Sequence, residues 1–270
     1  MSLPSPPTAA PIGLPAPSGP DPVAALRAAL GAARAAGAVA ARGPLAGTTW
    51  EPYRANLGPF DEPPFPGEPT FDPAPWEAVG ATVEARYTTT RVAHADAIAN
   101  GARAEAAVAA EGLRIVGLDA VGGYAAALEA VHPLVQHAFA DALAFTPLPR
   151  AAFLARLLPL APLLDPALPR LALDAHGTPV GFCLAFPCHG PRERLVVKTL
   201  AVGPAHRRLG LGAALVGAVH RAGAAAGLRY GLHALMALSS HSQRITAHGG
   251  AVVRHYALYR VDFGAPVAAP

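Results

Sequence analysis

The chain has 270 residues, 52% of them hydrophobic, and 21 Lys and Arg against 18 Asp and Glu leave a net charge of +3. That is enough for one large or two ordinary domains with a sizeable core, and its Ala- and Leu-rich runs are interrupted well short of the roughly 18 apolar residues of a membrane span. Two cysteines, Cys183 and Cys188, make no disulfide framework and lack the second pair of a zinc site. A metal-free cytoplasmic protein with no membrane attachment is the expectation.

The amino-terminal MSLPSPPTAAPIGLPAPSGP has no basic region ahead of its apolar residues, so residues 1–20 read as a disordered or polyproline-like tail and not as a signal peptide. An Ala-rich helix is expected over 22–41, followed by the turn GPLAGTTWEPYR (43–54) and a Pro-rich loop through Phe65, Gly67 and Glu68. The strand-like EAVGATVEARYTTTR (77–91) echoes TAHGGAVVRHYALYR (246–260), with five identities: Ala78 with Ala247, Gly80 with Gly249, Val83 with Val252, Tyr87 with Tyr256 and Arg91 with Arg260. Residues 21–92 therefore read as a truncated, degenerate copy of the carboxyl half, joined to it by a helical linker over 93–112.

From there LRIVGLD (113–119), a helix near 123–142, LPRLALDA (168–175) and PVGFCLAF (179–186) lead to LVVKTLAVGPAHRRLGLGAAL (195–215). This last segment is an apolar strand, a Gly/Pro turn, an Arg-rich glycine loop and a helix of small residues. The N–H groups of the loop and first helical turn lack intrahelical partners, and the dipole adds about half a positive charge there. A pyrophosphate is the natural ligand, with Gly210 and Gly212 allowing close approach and Arg207 and Arg208 supplying planar donors. Between Arg194 and Val261 lie nine Lys and Arg and no Asp or Glu, so the rest of the chain carries −6. A Walker loop is excluded, because Ala213 and Ala214 follow Gly212 where Lys and Ser/Thr would stand. A Rossmann fingerprint fails on Leu215 and on the missing ribose-binding acid. Nucleic acid would also favour a basic segment, but no recognised binding motif accompanies it, and no nucleic-acid partner is expected.

Arg207, Gly210 and Gly212 stand as R-x-x-G-x-G after a strand, and here the chain resembles the GNAT superfamily of acyl-CoA-dependent N-acyltransferases. The resemblance continues through the helix 211–226, the strand-like 229–238, a short helix 241–248, Gly249-Gly250 and the final strand AVVRHYALYRV, and covers about 111–264. A bacterial group of this superfamily carries GPL-x-x-x-TW-x-x-YR ahead of the acyltransferase domain, as GPLAGTTWEPYR does here. The resemblance implies an α/β GNAT fold over 113–264, a mixed, mostly antiparallel sheet flanked by helices. It also implies acetyl or other acyl transfer from CoA to a small-molecule or peptide amine within a ternary complex, by a monomer or homodimer. Leu200, Ala201 and Val202 match the strand that bonds the pantetheine, and Arg207, Arg208, Leu209, Gly210, Leu211, Gly212 and Ala213 match the pyrophosphate loop. The proton donor is where the chain departs, because Ile245 stands where many relatives have Tyr. Ser242, Ser240 and Tyr256 are the remaining hydroxyl candidates. His233 and Glu193 are candidate bases, with Asp141 a further acceptor-site acid; ordinary capping, core or surface roles stand open beside each. A catalytically silent acyl-CoA-binding protein is the alternative reading.

Overall fold

The computed structural model describes residues 10–190, 193–238 and 250–264. In chain order its elements are β1 (Ile12–Gly13), α1 (Pro22–Ala35), β2 (Ala40–Gly43), β3 (Ala55–Gly58), α2 (Ala74–Ala78), β4 (Thr82–Val92), α3 (His94–Ala110) and β5 (Arg114–Val116). There follow α4 (Tyr124–Ala138), α5 (Arg150–Leu157), β6 (Arg170–Leu173), β7 (Pro179–Cys188), β8 (Arg194–Val202), α6 (Leu211–Ala225), β9 (Tyr230–Ala237) and β10 (Ala251–Asp262). No helix among the described residues is long and apolar enough to cross a membrane.

The chain divides into two units that do not follow the linear segments read from the sequence. The first holds residues 1–59, 67–87 and 255–270; the second holds 60–66 and 88–254. β4 and β10 each run through the boundary.

In the first unit α1 begins at an Asp21 cap, whose Oδ1 accepts from Ala24 N at 2.9 Å, with Pro22 at the first helical position. It stops six residues short of the expected end. Gly37 takes a φ of +85°, and Ala38 N returns to Ala33 O at 3.1 Å, a glycine termination that frees residues 40–43 for β2. Ile12–Gly13, inside the expected tail, pairs parallel with β2, which pairs antiparallel with β10. The tail reading fails there because Leu14 also donates to Arg42 O and accepts from Leu45 N, closing an edge-strand ladder. Leu26, Leu30, Ala41, Ala55, Trp76, Ala257 and Tyr259 form this unit's core.

The second unit has the strand order β4-β9-β8-β7-β6-β5, antiparallel from β5 to β8 and parallel between β8 and β9. α3, read from sequence as a linker, is instead a core element. Gly101 and Gly217 let α3 and α6 touch backbone to backbone, and a Cβ on Gly101 would stand 2.8 Å from the Ala213 carbonyl oxygen. Ala97 and Val108 on α3 join Leu211, Leu215 and Val219 on α6 and Leu195 and Val197 on β8 in one apolar cluster. Small residues make this interface, which is why its sequence lacks the bulky stripe of an ordinary core helix.

A buried carboxylate pins the far end of the same sheet. Glu62, 4% exposed, accepts from Arg194 Nη1 at 3.0 Å and from Tyr230 OH at 2.8 Å, while Arg194 also donates to Pro63 O and Pro64 O. Removing one member of such a pair strands a charge away from water. Glu62→Ala is expected to lower the unfolding free energy by about 3 kcal/mol in urea melts; a loss below about 1 kcal/mol would mean that the pair contributes no more than a surface ion pair.

Candidate active site

β8 is where the second unit opens. Its register with β7 slips by one residue, Leu184 facing Thr199 and Ala185 facing Val197, so Lys198 is the extra residue of a bulge. On its other edge the ladder with β9 runs from Arg194–Tyr230 to Val197–His233, although β8 continues to Val202 and β9 to Ala237. Two residues past that last pair, Leu235 holds a φ of +61°, an unfavourable conformation for a side chain with a Cβ, and its N–H approaches Thr89 Oγ1 of β4 at 3.4 Å. The bulge and the turned residue send the two strands apart. Leu200, Ala201 and Val202 lie on the stretch of β8 beyond the last pair with β9, with Ala201 buried.

At the end of β8 the chain turns through a 3-10 helix, Pro204–Leu209, into Gly210 at φ +74° and then α6. The first α-type bond of α6 is Ala214 N to Gly210 O at 3.1 Å. By helix geometry the N–H groups of Leu211, Gly212 and Ala213 therefore point outward from a positive dipole end. Arg207 and Arg208 are exposed on the preceding turn. Arg207 Nη2 donates to Ala138 O at 3.2 Å and its Nε lies 3.5 Å from Val202 O, tying the ends of α4 and β8 at the mouth of the loop. A Cβ on Gly210 would stand 2.7 Å from that of Ala104, so α3 forms a wall of the loop. That role is absent from the sequence reading, because nothing local in residues 93–112 marks a surface meant for a loop 100 residues away.

His233, the last residue of β9 paired with β8, begins a buried chain of three imidazoles. His233 Nε2 lies 2.8 Å from His220 Nε2, His220 Nδ1 lies 3.0 Å from His94 Nδ1, and His94 Nε2 lies 3.0 Å from Leu228 O. His220 on α6 and His233 on β9 are buried, and Gly231 makes room for the His220 ring, which a Cβ there would meet at 2.4 Å. Burial drives their pKa values down, to about 4 for His233 and about 2 for His220, where the charges of His233 and His94 act in the same direction. His94 is half-buried and also lowered, chiefly by desolvation, with the Leu228 carbonyl working against it. At neutral pH the rings are uncharged. Bonded nitrogen to nitrogen, they form a line and not a converging ligand set; among the described residues no group of three or more His, Cys, Asp or Glu could hold a metal ion.

The other candidates scatter. Glu193 lies just before β8, seven residues from Leu200 and so about 23 Å along an extended strand, with Oε2 on His189 Nδ1 at 2.6 Å. It does not reach the opening. Asp141 is exposed in the turn after α4. Tyr256 and Tyr259 are both buried in the first unit, their hydroxyls donating to Glu68 and Glu77. Ser240, Ser242 and Ile245, with the expected helix 241–248, lie outside the described residues. Sequence reading singled out His233 but missed His220 and His94.

The second unit thus has adjacent parallel strands whose pairing ends beside a glycine-opened helix terminus. Residues 129–246 match the acetyltransferase (GNAT) family. A GCN5-related N-acetyltransferase of Sphaerobacter thermophilus superposes with a TM-score of 0.52 at 19% identity, over 69% of this chain and 54% of that one. A GCN5-related glucosamine N-acetyltransferase region of a fungal multi-domain GH3 β-N-acetylglucosaminidase gives 0.51 at 14% identity, over 70% of this chain and 22% of that one. This chain thus spans about half of the first and about a fifth of the second, and at these identities the likeness is one of fold. No curated protein matches the chain. Over residues 129–246, less than half of its length, the chain is thus similar to the GNAT family.

Proposed function

We propose that the protein transfers an acyl group, acetyl foremost, from CoA to an amine by direct attack in a ternary complex. The observation that carries this reading is the parting of β8 from β9 beyond Val197–His233, on the strand that leads straight into the Gly210 loop. A pantetheine arm needs an extended backbone edge, and a pyrophosphate needs converging N–H donors; one continuous segment offers both in the right order. In this reading Leu200, Ala201 and Val202 bond the pantetheine amides. The N–H groups over Leu209–Ala213, with Arg207 and Arg208, take the pyrophosphate. An N–H of β8 near the bulge stabilises the oxyanion of the tetrahedral intermediate. His233, neutral at physiological pH, accepts the proton from the attacking nitrogen, which becomes strongly acidic as its lone pair forms the C–N bond. The chemistry calls for no metal. The acceptor is a small-molecule or peptide amine, and the protein works in the cytoplasm as a monomer or homodimer.

Calorimetric titration with acetyl-CoA, followed by release of free CoA thiol across a panel of amines, tests this. Saturable binding with amine-dependent thiol release is the expected result. Binding with no release would replace the enzyme by a silent acyl-CoA-binding protein, and no binding would remove the cofactor loop.

A further inference from the structure

We propose that a cavity between α3, α6 and strands β5 and β6 is a binding site for a small organic carboxylate with an apolar body. The cavity has a volume of about 530 Å³, and all of its lining residues belong to the second unit. That volume falls within the roughly 300–1,000 Å³ of small-molecule sites. In the strand order β9-β8-β7-β6-β5, β6 stands two strands away from β8, about 10 Å across the sheet at the usual spacing. The cavity is therefore distinct from the stretch where β8 and β9 part, and the proposal does not depend on the acyl-transfer reading.

Most of the lining is apolar. Leu113 is buried and Ile115 half-buried, and both pack in the same apolar cluster as Leu215 and Val219 of α6. On the helix side the wall is made of alanines, Ala109 of α3 among them, and their short side chains leave the space open. An apolar body is what such walls accept, because filling them removes hydrocarbon surface from water.

Three charged side chains line the same space, and two of them neutralise each other: Arg221 of α6 pairs with Glu105 of α3. Arg170, the first residue of β6, is the third. Its Nη1 donates to Ala167 O at 2.6 Å and Pro169 O at 2.9 Å and lies 3.3 Å from Leu168 O. These contacts hold the guanidinium in place and are all the hydrogen bonds it makes among the described residues, where it also has no ion pair. Nε and Nη2 remain as one edge of a planar fork, the geometry that takes a carboxylate through two parallel bonds. Burial is the largest influence on Arg170 and lowers its pKa, with the charge of Asp119 foremost among those working the other way. A bound carboxylate would supply the close counter-charge that the protein does not. A phosphate brings nearly two negative charges at neutral pH against this one cation, and an ammonium would find Glu105 already engaged. One carboxylate on an apolar body matches both the charge and the walls.

Hexanoate, hexanol and hexylammonium share an apolar body and differ in the head group, so calorimetric titration of the full chain with each separates a carboxylate site from a merely apolar space. Hexanoate is expected to bind with a Kd at or below about 1 mM, hexanol at least about tenfold more weakly, and hexylammonium not at all. Arg170→Gln should weaken hexanoate about 10- to 100-fold, the effect of losing hydrogen bonds to a charged group. Because that change also frees the carbonyls that Nη1 holds, a second variant places the ligand without touching them. Ala109 is exposed on α3 and lines the cavity, so Ala109→Trp should fill the space, leave the circular dichroism spectrum unchanged and abolish hexanoate binding. A hexanoate Kd weaker than about 1 mM, binding of hexanol or hexylammonium as tight as that of hexanoate, or wild-type affinity in folded Ala109→Trp would overturn the site. None of these results bears on acyl transfer, which is read from the release of CoA thiol.

Discussion

Gly210→Glu should abolish acetyl-CoA binding. Three effects act together at this position. Gly210 sits at φ +74°, where a residue with a Cβ costs about 1–2 kcal/mol. That Cβ would stand 2.7 Å from the Ala104 Cβ, so α3 and the loop must separate. The new carboxylate would also sit beside the N–H groups proposed to hold a pyrophosphate, setting like charges against each other. Together these are expected to weaken binding at least about a thousandfold, or roughly 4 kcal/mol. Gly210→Ala keeps the steric and backbone terms without the charge and should fall between the two. Circular dichroism must find both variants folded, with melting lowered only by the local strain. Calorimetric affinity within about tenfold of wild type for Gly210→Glu, a difference of 1.4 kcal/mol, would remove the loop from the cofactor site.

The second large effect is on stability in acid. His233 and His220 have ordinary imidazole values near 6.5 when unfolded and are held at about 4 and about 2 in the folded protein. A base whose folded pKa is depressed binds fewer protons folded than unfolded. Its contribution is therefore complete above pH 6.5 and is lost as pH falls below that value, until the folded pKa is reached. Each histidine then contributes a slope of about 1.4 kcal/mol per pH unit. Between pH 6.5 and 4.5 the two together remove roughly 5 kcal/mol, a large part of the 5–15 kcal/mol that ordinarily holds a domain together. Urea unfolding across pH 7 to 4.5 should record a steep decline. His220→Gln removes one of the two titrations and should halve the slope, whatever it does to stability at pH 7. A wild-type stability flat over this range would mean that the histidines are charged in the folded state.

The three histidines were not equally legible in the sequence. His233 was legible because a histidine alternating with Gly231 and Leu235 on an apolar strand is a titratable group on a β9 that carries no acid. His220 reads in the sequence as one polar residue in a small-residue helix, and His94 as the start of an Ala-rich linker. Nothing in one dimension joins residues 126 and 13 positions apart. The same reason hides α3, whose glycine and alanines look like spacing until Gly101 meets Gly217. Glu62, in a Pro-rich loop, likewise carries no local mark of its burial against Arg194.

What the sequence by itself determined is therefore local. A strand, a Pro-opened turn, paired glycines and a helix follow one another within 21 residues, from Leu195 to Leu215. The geometry of the loop proposed to take the pyrophosphate depends on backbone conformations that neighbouring residues dictate. The departure of β8 from β9, the wall that Ala104 sets against Gly210 and the line of three histidines ending at Leu228 O were decided by tertiary structure. Each depends on groups that chain folding alone brings within hydrogen-bonding or van der Waals distance, and those forces leave no periodic mark in the residues that feel them.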